Sequence, residues 1–104
     1  MATNQYHEPV EELSPEVRQM TRLMLSCQEE LEAIDWYGQR MAAEKDPELI
    51  NIFRNAQKEE MKHFSMFLEK AFRQNHLFKE IAEGILFKDG DIVENGEQAE
   101  DDND

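Results

Sequence analysis

Glu44-Lys45-Asp46-Pro47-Glu48 is the stretch that decides the fold. Asp46 is a side-chain acceptor suited to capping a helix, Pro47 suits the first helical position, and Glu48 places negative charge in the first turn. A helix therefore starts here, and any helix before it must stop near Lys45. Upstream, Ser14-Pro15-Glu16 repeats the same start signal, and from there to Glu44 no proline intervenes and Gly38 is the only weak helix former. Downstream, the second helix runs to about Arg73, where Gln74-Asn75 breaks it. Two long helices joined by so short a turn must fold back as an antiparallel hairpin. A shorter third helix is predicted over roughly 77–87, carrying Leu77, Phe78, Ile81, Ile85 and Leu86. The expected organisation is an irregular arm over 1–13, a helical domain over 14–88 and a disordered acidic tail over 89–104.

Composition agrees with an all-α class. The 104 residues are 39% hydrophobic and 34% charged, with 4 Gly and 3 Pro, too few for a turn-rich β fold. No run approaches the roughly 18 apolar residues of a membrane span, and the N-terminus lacks the basic and apolar blocks of a signal peptide. A single cysteine, Cys27, offers no intramolecular disulfide and reads as a small buried apolar residue in a reducing cytoplasm. The formal charge is −13, and it is unevenly placed. After Lys88 the chain has eight acids and no Lys or Arg, so the tail supplies −8 and the rest −5. That balance excludes nucleic acid as a partner, since phosphate contacts need clustered Lys and Arg. It allows attraction of cations, although acidic tails also serve simply as solubilising extensions.

The informative residues are acids inside apolar stripes. Met20, Met24, Cys27, Leu31, Ile34, Tyr37 and Met41 follow helical spacing on the first helix, as do Phe53, Ala56, Phe64, Phe67 and Ala71 on the second. Glu30 falls within the first stripe; Glu60 and His63 fall within the second. A carboxylate on a core-facing stripe is costly unless paired or bound to metal. Glu30 lies 15 residues before Lys45 and Glu60 lies 15 after it, so antiparallel helices bring both to the same height. Glu60-Met61-Lys62-His63 is also a Glu-x-x-His unit, in which residues i and i+3 share one face. Oxygen-rich ligation with one imidazole suits iron better than structural zinc. A complete di-iron bundle site takes a Glu from each of two helices and a Glu-x-x-His from each of two others. This chain holds one of each, so two chains are expected to meet about a C2 axis and share two metals roughly 3.5–4 Å apart. The bland alternative is that all three are partly exposed polar groups.

Glu29-Glu30-Leu31-Glu32-Ala33-Ile34-Asp35-Trp36-Tyr37, followed by Gln39-Arg40, closely resembles the first-helix motif of encapsulated ferritins. His7-Glu8-Pro9, Asp46-Pro47-Glu48-Leu49, Glu59-Glu60-x-x-His63 and Leu86-Phe87 are similar to that family as well, and the likeness covers about residues 7–88. The resemblance implies a hairpin with a short third helix, dimerising into a ferritin-like four-helix bundle and assembling further into a ring-shaped decamer. It implies oxidation of Fe2+ to Fe3+ with O2 at a di-iron centre shared by two subunits, two iron ions per dimer, within an encapsulin shell in the cytoplasm. By motif position, Glu30, Glu60 and His63 match the ferroxidase ligands, with Glu60 bridging the irons, and Tyr37 matches the tyrosine beside the centre. Glu29 and Glu32 match a secondary metal site through which iron arrives, and Trp36 matches an aromatic near it, a position where tryptophan often anchors an interface. One departure stands out: family members usually end in a short, partly apolar targeting peptide, whereas this chain ends Glu100-Asp101-Asp102-Asn103-Asp104.

Two rivals follow from the same residues. One is a non-catalytic helical oligomerisation module whose stripes dock a partner helix, with any metal incidental. The other is a rubrerythrin-like di-iron peroxidase, against which stands the lack of a Cys-x-x-Cys unit.

Overall fold

Ser14 accepts a hydrogen bond from the Val17 N–H at 3.2 Å, and with Pro15 at the first helical position it starts helix α1, Pro15–Ala43. The helix closes with the Glu44 N–H donating to the Arg40 carbonyl at 3.0 Å. The turn is then built from two side chains. The Glu44 carboxylate accepts from the N–H groups of Lys45 and Asp46, each at 3.1 Å, and Asp46 accepts from Glu48 N–H at 3.1 Å. These bonds satisfy donors that a helix start leaves orphaned, and α2 runs at once over Pro47–Gln74. Helices α3, His76–Glu83, and α4, Ile92–Asp102, complete the order. The computed structural model describes residues 5–104, and among them no strand occurs and no helix is long and apolar enough to cross a membrane. The chain is all-α, in agreement with the sequence.

The molecule divides into two compact units, one running to Ala71 and one from Phe72 to Asp104. In the first, α1 and α2 are antiparallel, with Glu30 against Glu60 and His63, Ile34 against Gln57, and Tyr37 against Phe53. Each pair is equidistant from Lys45 to within a few residues. Leu23, Cys27 and Ala71 are its buried apolar residues. Across the described residues no large side chain is fully buried, and in this unit Leu31, Trp36, Ile52, Met61 and Met66 are at least 44% exposed. Leu31, placed in the α1 stripe by spacing, is half-exposed at 50%. Its neighbour Glu30 takes the inward position, since adjacent helical residues point about 100° apart.

Residues 89–104 are not a disordered tail. Asp91 caps α4 by accepting from the Glu94 N–H at 2.9 Å, and Ala99, 3% exposed, packs against Gly84. A Cβ on Gly84 would lie 2.6 Å from the Ala99 Cβ, so only glycine admits this approach. The third helix is also shorter than predicted: it ends at Glu83, and the apolar Ile85 and Leu86 continue as hydrogen-bonded turns onto Ala82. Phe72 and Phe78 meet edge to face, with ring centroids 4.9 Å apart, in the same unit. The arm predicted as irregular holds a 3-10 turn, Val10–Glu12, whose Val10 carbonyl accepts from the Arg18 guanidinium. The first four residues of that arm lie outside the described residues.

Candidate metal centre

Glu30 stands on α1 and Glu60 and His63 on α2, one helical turn apart, and ligand atoms of all three lie within 4.8 Å of one another. His63 Nδ1 is 3.7 Å from Glu30 Oε2 and 3.6 Å from Glu60 Oε2. Both distances are too long for hydrogen bonds. They are close to the roughly 3.0–3.4 Å that separates two ligand atoms each about 2.1 Å from a shared ion. Glu30 and Glu60 are mostly buried, whereas His63 is 43% exposed, which leaves an open side.

Glu30 Oε2 is buried and has no hydrogen-bond partner. An unsatisfied buried carboxylate oxygen is expensive. The carboxyl's pKa is raised, first by hydrogen bonding to the adjacent Glu60 carboxyl, then by burial and the Glu60 charge, with His63 opposing. A divalent cation would balance both carboxylates and supply Oε2 with a partner. The donor set fits such an ion, with hard oxygens, one imidazole and an open face. One turn before Glu30, the Cys27 thiol is buried, and burial followed by the Glu30 charge raises its pKa. It is a packing residue, not a thiolate.

The other sequence-predicted residues do not join this cluster. Tyr37 stands two turns along α1, its ring 6.0 Å from that of Phe53 and with the Arg40 guanidinium 5.2 Å from its centroid. Glu29 and Glu32 are solvent-exposed. Trp36 is half-exposed and lines a shallow surface depression with Gln39 and Arg40. Glu59 pairs with Lys62 at 2.8 Å, so the lysine between Glu60 and His63 in sequence points away from the cluster. The Lys62 ammonium holds the Glu59 carboxyl below its ordinary range.

Sequence reading passed over Gln57. Its Nε2 donates to the Ile34 carbonyl across the hairpin at 3.1 Å, one turn from the ligands on each helix. The available signal was its position three residues before Glu60, on the same face.

An antiparallel helical hairpin with an inward Glu opposite a Glu-x-x-His unit is an arrangement shared with ferritin-like carboxylate bundles. A sequence model of the EncFtn-like family matches residues 5–89, and the chain belongs to that family. It is 41% identical over 92 residues to an encapsulated ferritin-like protein of Rhodospirillum rubrum, covering 88% of this chain and 66% of that one. It is 40% identical over 91 residues to a ferritin-like protein of Thermotoga maritima, covering 88% of this chain and 80% of the relative. The chain thus spans just under two thirds of the Rhodospirillum relative's length. A crystal structure of protein ne0167 from Nitrosomonas europaea superimposes with a TM-score of 0.81 at 42% identity, over 86% of this chain and 99% of that one. Helix α4 lies beyond the family match.

Proposed function

We propose that this protein is a ferroxidase, oxidising Fe2+ to Fe3+ with O2 at a di-iron centre that two copies build together. The observation that carries the reading is the convergence of Glu30, Glu60 and His63 around a buried, unpartnered carboxylate oxygen in a chain of the EncFtn-like family. Three donors make half of a six-donor site. A second hairpin related by a C2 axis completes it, giving four carboxylates and two imidazoles. The half-exposed Leu31 and Met61, immediately after Glu30 and Glu60, supply apolar surface for that contact. Further assembly into a ring-shaped decamer and residence within an encapsulin shell in the cytoplasm belong to the same reading. The resemblance supports them, and the name of the Rhodospirillum relative supports encapsulation alone.

In this reading Glu60 would be shared between the two irons, as the family resemblance implies, with Glu30 and His63 holding them from either side. Two Fe2+ bound there, as substrate, would each give one electron to one O2, which with two protons from solvent becomes hydrogen peroxide, and the iron leaves as Fe3+ for storage. The protein's part is to hold iron between the Glu30 and Glu60 carboxylates, balance the ferric charge with them and leave the His63 side open. Glu29 and Glu32, exposed on α1, gather incoming cations. Tyr37 sits on the same helix face and tunes the site through packing on Phe53.

The test is aerobic Fe2+ oxidation by metal-free protein, followed by ferric absorbance, with wild type beside Glu60→Ala and native mass recorded with and without metal. Fast oxidation lost in the variant, with even-numbered oligomers, supports the shared centre. Oxidation no faster than buffer in the wild type refutes it. The half-exposed apolar faces of α1 and α2 would then favour a non-catalytic oligomerisation module.

A further inference from the structure

Glu30 can meet Glu60 and His63 only if two helices of 29 and 28 residues hold one register and one separation. Apolar contact is non-directional and does not by itself specify either. Hydrogen bonds do, because they weaken steeply with distance and angle. The Gln57 side chain makes such a bond, partly buried, to the Ile34 carbonyl 23 residues away in sequence. Ile34 is one turn after Glu30 on α1, and Gln57 is one turn before Glu60 on α2. The bond is therefore the next rung of the hairpin beside the ligands.

The Ile34 carbonyl already serves the helix ladder, whose partner four residues on is Gly38, and its second lone pair takes Gln57. A Cβ at Gly38 would lie 3.4 Å from Gln57 Nε2, at the edge of contact.

We propose that Gln57 is a positioning residue for the Glu30–Glu60–His63 site, its cross-helix bond to Ile34 fixing the separation at which the three donors converge. The proposal rests on the reading of that cluster as a metal site. Gln57 touches neither a metal nor a ligand; it acts through the spacing of the two helices that carry the ligands.

The test uses the full chain and Co2+ alone, which reports coordination geometry through its visible ligand-field bands. Wild type, Gln57→Met and Glu30→Ala are titrated with Co2+, their spectra recorded, and thermal unfolding measured with and without the metal. Gln57→Met keeps length and helix preference but removes the donor. It should bind Co2+ several-fold more weakly, with shifted bands and a smaller Co2+-induced rise in melting temperature. A merely structural role would lower metal-free stability and leave spectrum and affinity alone. A Gln57→Met protein with wild-type spectrum and affinity therefore overturns the proposal while Glu30→Ala loses both. If Glu30→Ala also binds Co2+ like wild type, the metal-site reading fails and the proposal falls with it. Gln57→Leu carries the same expectations if the methionine variant does not fold.

Discussion

Replacing Glu30 by glutamine should stabilise the metal-free protein and abolish most of its stabilisation by metal, two effects of opposite sign from one buried oxygen. Glu30 Oε2 lacks a hydrogen-bond partner, and Glu60, burial and charge together raise the carboxyl's pKa. A folded-state pKa above the unfolded one means that the fold binds this proton more tightly than the unfolded chain does. The resulting stability is fully present below the ordinary glutamate range and is lost as pH rises through the folded value. At pH 7 the wild type thus carries a cost that a neutral amide avoids, and the amide N–H can donate to Glu60. An uncompensated buried polar group costs about 1–2 kcal/mol. Over a chain of 104 residues that corresponds to a melting temperature about 5–10 °C higher for Glu30→Gln in metal-free buffer at pH 7. At pH 4 the difference should shrink towards zero. Adding Co2+ at about 100 times the wild-type Kd should stabilise the wild type by about 2.7 kcal/mol and the variant by less than half of that. Scanning calorimetry at both pH values, with and without metal at fixed protein concentration, measures all four quantities. A Glu30→Gln protein that melts below wild type without metal, or rises equally with it, would refute the account of Glu30 as a metal ligand holding a proton.

Three further outcomes follow from other parts of the molecule. Gly84→Ala would put a Cβ 2.6 Å from that of Ala99; overpacking of this kind costs about 1–3 kcal/mol. An 11-residue helix cannot persist undocked, so α4 should melt. Ellipticity at 222 nm should then fall by about a seventh, α4's share of the helical residues, and a glutamate-specific protease should cut at Glu94 and Glu97. Phe87→Gly should stabilise by about 0.5 kcal/mol in denaturant titration, since Phe87 is fully exposed and held at φ 59°. Glu29→Ala with Glu32→Ala should slow the initial rate of Fe2+ oxidation several-fold at limiting iron, yet leave the Co2+ ligand-field spectrum unchanged; an altered spectrum would place these acids in the centre itself.

The sequence by itself determined the features that depend on neighbours a few residues apart. Ser14-Pro15 and Asp46-Pro47 are start signals read by the backbone within one turn, and together they dictate a hairpin pivoting at Lys45. The pivot then places Glu30 opposite Glu60, because equal distances from a tight turn must meet. His63 follows from the helical repeat, so the cluster was legible before any coordinates. Tertiary structure alone decided what depends on close packing between distant residues. Spacing did not separate Leu31 from Glu30 as the inward residue, because both fit a broad stripe. Low hydrophobicity made residues 89–104 read as disordered, yet the fit of Ala99 onto the bare backbone of Gly84 holds a fourth helix there. Gln57 carried only its place three residues before Glu60 as a signal, which names no partner. Its part in the hairpin exists only because Ile34, 23 residues earlier, presents a carbonyl within hydrogen-bonding reach, and such a meeting is a property of the folded chain.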